Sequence, residues 1–155
     1  VTASTFNQLG MLPEIKGVDK YYSADYSTFN DVEDCATALI KFDNGLTLFF
    51  ETSWVLHTKQ DELYLNVFGD KAGAQMEPAI EFYESKNNYF TDVAPVVDPS
   101  KFSFEHNFQE EIKHFIDCVE NGTPCLNPGE DGVELMKILD AIYESSKTGH
   151  EVIIK

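Results

Sequence analysis

Cationic side chains are scarce in this chain of 155 residues: 11 Lys plus Arg stand against 27 Asp plus Glu, a formal net charge of -16. Such a surface repels phosphate backbones and anionic lipid, which argues against nucleic-acid binding and against electrostatic attachment to a membrane. Long apolar runs are also missing. No stretch approaches the about 20 residues needed to span a bilayer, and no basic-then-apolar secretion signal is present. Cysteine is sparse: Cys35, Cys118 and Cys125 are odd in number and contain no CxxC, which is too little for a disulfide framework or a zinc site. Cys35, in an apolar strand pattern, and Cys118, in a helix, read as packing residues, and the compartment as reducing and cytoplasmic.

Several motifs of catalysis and cofactor binding are absent. There is no Walker A run, no HExxH and no GxSxG. A dinucleotide-binding turn needs glycines between a strand and a helix, so that the backbone can approach a pyrophosphate. Gly69-Asp70-Lys71-Ala72-Gly73 has two glycines, no third, and no helical pattern behind it, so it reads as a strand–turn–strand. No two of His57, His106, His114 and His150 are four residues apart, so no metal pair is assigned, and Asn121-Gly122-Thr123 reads as a helix stop. The acid pairs Glu110-Glu111 and Glu130-Asp131 lie near expected helix starts, where the macrodipole favours anions.

What is present is apolar patterning, with 43% hydrophobic and 13% aromatic residues, enough to build a core and to exclude disorder. Val1–Phe6 alternates like a strand, and 7–30 is a long irregular arm containing Tyr21, Tyr22, Tyr26 and Phe29. In 33–42 the residues Ala36, Ala38, Ile40 and Phe42 share one face of a strand. Asp43-Asn44-Gly45 then predicts a hairpin with positive φ at both central residues, returning through 46–54. Further strands are expected at 62–68, 79–83 and 89–93.

Two helices follow. The first carries Phe104, Phe108, Ile112, Phe115, Ile116 and Val119 at helical spacing, between Ser103 as N-cap and Gly122 as stop. The second has Asn127 as cap, Pro128 at its first position, Glu130 closing a capping box and Gly149 as stop. Its expected buried stripe is Val133, Met136, Leu139, Ile142 and Tyr143. A closing strand is expected at 152–154. Strands followed by helices give an α+β fold: an open, largely antiparallel sheet with both helices on one face. The strands are apolar on both sides, so the uncovered face is expected to bind a second copy of the chain, a homodimer through the sheet face. Trp54 ends a strand and His57 follows three residues later, a pair expected to line a polyol pocket.

The order and spacing of several segments resemble the Gfo/Idh/MocA family of nicotinamide-dependent sugar and polyol dehydrogenases. These segments are Val32-Glu33-Asp34 with Ala36, Ile40, Phe42 and Asn44-Gly45; Glu51-Thr52-Ser53-Trp54; Val67 to Gly73; Phe115-Ile116 with Asn121-Gly122; and Glu130-Asp131-Gly132 through Ser145-Ser146 and Gly149. The resemblance implies that 1–155 is the C-terminal α+β domain of a longer two-domain enzyme, whose N-terminal Rossmann domain binds NAD or NADP. Val1 opens directly on a strand pattern without Met, as if cut from that longer chain. The resemblance also implies a sheet that mediates oligomerisation and one wall of a sugar or polyol pocket. The family's catalytic Lys lies in an EKP-like motif and its Asp and His in a GGxxxDxxxH-like helix. Neither motif occurs here, so no catalytic and no cofactor-binding residue is assigned and no cofactor is expected on this chain alone. The alternative expectations are a stand-alone α+β binding or dimerisation module and a small cofactor-independent enzyme, for which no paired nucleophile and base can be found.

Overall fold

A computed structural model describes residues 1–8, 32–60, 62–76, 79–96, 98 and 103–155. The aromatic arm expected at 7–30 falls almost wholly outside them. The fold is α+β, with antiparallel sheets and two helices. The strands divide between two sheets, and the chain forms two compact units, Val1–His57 with Asn127–Lys155, and Thr58–Leu126.

In the first unit, β1 (Thr2–Phe6), β2 (Cys35–Lys41) and β3 (Thr47–Ser53) form an antiparallel sheet in that order. Alternation decides the faces. Ala36, Ala38 and Ile40 point to one side, opposite Thr52, Phe50 and Leu48 of β3. On that side Ala38, Ile40 and Ile142 (3, 5 and 4% exposed) form the core, flanked by Val1, Ala3, Phe50, Ile138 and Leu139. Phe42, expected on the same face, lies beyond β2 and is exposed. The hairpin forms where Asn44-Gly45 predicted it, with a different turn. Gly45 N–H donates to Phe42 O (3.0 Å), Phe42 N–H donates to Leu46 O (2.9 Å), and only Gly45 has positive φ, at 88°. This is a three-residue loop ending in a left-handed glycine; the extra residue removes the need for positive φ at Asn44.

Helix α2 (Gly129–Thr148) packs against β1. Its buried residues are Ala141, Ile142 and Ser145, with Ile138 and Leu139 half-buried, whereas Val133, Met136 and Tyr143 of the expected stripe are exposed. Burial is set by the short span along which the helix meets the strand, in its C-terminal half. Two successive serines there satisfy the free edge of β1. Ser145 Oγ accepts from Ala3 N–H and Ser146 Oγ from Thr5 N–H, both at 2.9 Å, while Ser145 donates to His150 O at 2.8 Å. A strand edge otherwise presents unpaired amides. Pro128 occupies the N-cap, one residue later than expected, and Glu130 and Asp131 lie in the first turn. The closing strand expected at 152–154 is reduced to one reciprocal pair, Val1 N–H to Val152 O (2.7 Å) and Val152 N–H to Val1 O (2.9 Å).

In the second unit, β4 (Leu65–Phe68), β5 (Ala72–Met76), β6 (Glu81–Lys86) and β7 (Tyr89–Val93) form an antiparallel meander. Strand β5 was not expected, because Ala-Gly-Ala-Gln-Met has neither branched residues nor bulky alternation. Asn87 and Asn88, with φ of 54° and 65°, form the two-residue turn from β6 to β7. Leu65, Val67, Met76, Phe82 and Val93 lie on one face of this sheet and are all exposed. Helix α1 (Phe104–Asn121) has the expected ends: His106 N–H donates to Ser103 Oγ (3.2 Å), and Gly122 closes it at φ 69°. Phe108, Ile112, Phe115, Ile116 and Val119 of its stripe are exposed. Glu110 lies well inside the helix, paired with Lys113 at the shorter end of hydrogen-bond range, so the dipole argument applies to Glu130 and Asp131 alone.

Candidate functional site

Where β3 ends, the first unit gathers a polar corner. Trp54 is half-buried. Its indole N–H donates to Glu33 O at 2.8 Å and its backbone N–H to Asp34 O at 3.3 Å. Ser53 Oγ donates to the same Asp34 O (2.8 Å) and accepts from Val55 N–H (3.2 Å). These bonds fix the direction of the chain as it leaves β3 and anchor the indole by its N–H. Asp34 is 3% exposed; its carboxylate accepts from Gln8 N–H and its own N–H donates to Phe6 O at 2.6 Å. That buried carboxylate is held by backbone and ties the end of β1 to the start of β2.

Glu33 reaches the helix. Its carboxylate accepts from the Tyr143 hydroxyl at 2.7 Å, and this bond, ahead of burial, raises the Tyr143 pKa above its usual value. Tyr143 is therefore held as a donor, not as a base. His57 is exposed three residues beyond Trp54. The corner thus offers an aromatic platform, an imidazole and a carboxylate–phenol pair. It does not bring together a nucleophile and a base.

The second unit has an open hollow of 370 Å³ at the β4–β5 turn, lined among others by Phe68, Lys71, Tyr83 and Phe90. Gly69 N–H donates to Ala72 O at 3.0 Å, so Asp70-Lys71 is the tip of a strand–turn–strand, as its sequence predicts. Gly73 faces Tyr83 across the strands, and a Cβ there would sit 3.2 Å from Val67 O. This turn does not fit a dinucleotide: a strand follows it where a phosphate-gripping helix would have to start.

Sequence reasoning missed one constellation. His114, Cys118 and Cys125 place their ligand atoms within 4.8 Å of one another. The search for two histidines four apart passed over a histidine and a cysteine at that spacing, and the turn at Gly122 brings in the third residue. Burial, followed by the nearby Cys125, pushes the Cys118 thiol up.

The comparisons with known proteins agree with one another. The family described as the oxidoreductase family C-terminal alpha/beta domain, Gfo/Idh/MocA, matches residues 9–154. The D-glucoside 3-dehydrogenase of Escherichia coli K12 is 26% identical over 153 residues, covering 98% of this chain and 41% of the relative. The D-xylose 1-dehydrogenase (NADP(+)) 2 of Haloferax volcanii is 27% identical over 135 residues, covering 82% and 40%. A crystal structure of an oxidoreductase from Agrobacterium radiobacter, in complex with NAD+, L-tartaric acid and magnesium, shares the fold. Its TM-score is 0.62 at 22% identity, covering 96% of this chain and 41% of that one. The chain spans about two fifths of the length of the curated relatives it matches.

Proposed function

The chain belongs to the Gfo/Idh/MocA oxidoreductase family as its C-terminal alpha/beta domain, and from that premise we propose that it serves an NAD- or NADP-dependent dehydrogenase acting on a sugar, a polyol or a related secondary alcohol. The match along nearly the whole chain carries this reading. Both curated relatives are sugar dehydrogenases by name, and one is named for NADP+. The bound nicotinamide would supply hydride chemistry from a domain outside these residues. This chain contributes binding, orientation and exclusion of water.

Within that role, Trp54 and His57 form part of the substrate wall. The Trp54 indole N–H is already satisfied by Glu33 O, so the ring offers its face to the apolar side of a sugar, while His57 offers ring nitrogens to hydroxyls. The single domain 1–155 also supplies the contact between copies of the protein. Exposed apolar faces support a homo-oligomer: Phe49 is 75% exposed on the side of the first sheet away from the core, and Leu65, Val67, Phe82 and Val93 line the second. None of Cys35, Cys118 and Cys125 forms a disulfide, which suits a reducing, cytoplasmic site of action; among the described residues no helix is long and apolar enough to cross a membrane.

The protein as its gene encodes it, supplied with NAD+ or NADP+ and a panel of aldoses, glycosides and polyols, is expected to produce reduced nicotinamide with at least one of them. Trp54→Ala should raise KM for that substrate about tenfold or more, the loss of roughly 1.4 kcal/mol of binding, and leave kcat nearly unchanged. Absence of turnover across the panel from a folded protein would refute the redox reading and favour a binding or dimerisation module. An unchanged KM would remove Trp54 from the pocket.

A further inference from the structure

We propose that His114, Cys118 and Cys125 form a binding site for a soft divalent cation of the Zn²⁺ class. His114 and Cys118 are four residues apart on α1, so both side chains leave the same helix face one turn apart. Gly122 ends the helix in the left-handed conformation, its N–H donating to Cys118 O at 3.1 Å, and the chain turns so that Cys125 returns to that face. The three ligand atoms all lie within 4.8 Å of one another, and Cys118 Sγ is 3.5 Å from His114 Nε2. A tetrahedral zinc with Zn–S about 2.3 Å and Zn–N about 2.0–2.1 Å requires S···N edges of about 3.5 Å and S···S edges of about 3.8 Å. The first edge is already at that length. The rest closes by movement of Cys125, which is exposed on the loop.

The histidine already presents the atom that a metal needs. Leu126 N–H donates to His114 Nε2 at 3.1 Å, and a backbone amide can only donate, so Nε2 carries a lone pair and no proton. The cation takes that lone pair in place of the amide, and the two thiols lose their protons to solvent as they coordinate. Two thiolates and an imidazole select a borderline or soft metal over Mg²⁺ or Ca²⁺, which prefer oxygen. The neighbouring carboxylate, Asp117, is held by Asn121 Nδ2 (2.7 Å) and by Thr123, and stays out of the ligand set. Three protein ligands leave the fourth corner to water, on the solvent side where Cys125 lies. The ion would staple the end of α1 to the 122–126 loop.

The test uses the natural full-length protein, reduced and stripped of metal, titrated with Co²⁺ as a spectroscopic stand-in for Zn²⁺. The expected result is one Co²⁺ per chain with thiolate-to-cobalt charge-transfer absorption that Zn²⁺ abolishes. Cys125→Ser, in an exposed loop, should keep the native circular dichroism and lose about half of that absorption; Cys118→Ser should weaken it likewise. Cys35→Ser, on β2 of the first unit and outside the ligand set, should leave it unchanged. Folded wild type without charge transfer would overturn the proposal, as would absorption that survives Cys125→Ser at full strength. A Cys118–Cys125 disulfide found in the protein as isolated, by a two-proton mass deficit, would overturn it as well.

Discussion

Replacing Ser145 by alanine tests how the first unit holds its edge strand. The side chain is 1% exposed and its hydroxyl serves two partners at once, accepting from Ala3 N–H at 2.9 Å and donating to His150 O at 2.8 Å. Alanine keeps the backbone, improves helix propensity slightly and takes the side-chain partner from an amide and a carbonyl in the part-buried contact between α2 and β1. Each orphaned buried group costs about 1–3 kcal/mol. Both together, with some relaxation of the turn at Gly149, give about 2–4 kcal/mol, a large part of the about 5–15 kcal/mol typical of a domain. Ser146 is the internal control. It accepts from Thr5 N–H at the same distance and shares a bond with Thr5 Oγ1, but it is only half-buried, so water replaces it and Ser146→Ala should cost under about 1 kcal/mol. Urea denaturation reads both as shifts of midpoint at constant slope, and hydrogen exchange should show protection lost at Ala3. If Ser145→Ala lies within about 0.5 kcal/mol of wild type, or no nearer to unfolding than Ser146→Ala, the edge argument fails.

Two further outcomes follow from the same unit. Ile142→Ala, at the centre of the α2–sheet contact, should lose about 2–5 kcal/mol by the same denaturation assay, whereas Val133→Ala on the exposed half of the helix should lose far less. Tyr143 has its pKa raised, first by the bond to Glu33, so its contribution to stability is complete below the ordinary tyrosine pKa of about 10 and is lost as pH rises through the higher folded value. Tyr143→Phe should therefore flatten the alkaline limb of the stability profile and leave its neutral part lower; a limb unchanged in slope would exclude the pair.

Period was the most legible property of the sequence. Alternation in Cys35–Lys41 predicted that Ala36, Ala38 and Ile40 share a face of β2, and Ser103 and Gly122 predicted both ends of α1, because caps are local chemistry. Burial along α2 was less legible. Val133 and Met136 have the spacing of a core face, but which part of a helix meets a sheet depends on tertiary docking, and here Ser145, a polar residue, is the most buried of all. Strand β5 escaped because Ala-Gly-Ala-Gln-Met is held by its neighbours β4 and β6, not by its own preference. Trp54 was legible as the end of a strand; its bond to Glu33 O joins positions 21 residues apart and has no sequence signal. The His114–Cys118–Cys125 cluster could have been found by counting cysteine along with histidine at helical spacing.

Calorimetric titration of this chain and of the natural full-length protein, each with NAD+ and with NADP+, tests the central claim most directly. The account predicts saturable binding to the full-length protein and no saturable heat from residues 1–155 alone. Tight, stoichiometric binding to residues 1–155 would contradict it, since the Gly69–Gly73 turn would then have to hold a pyrophosphate without a helix behind it.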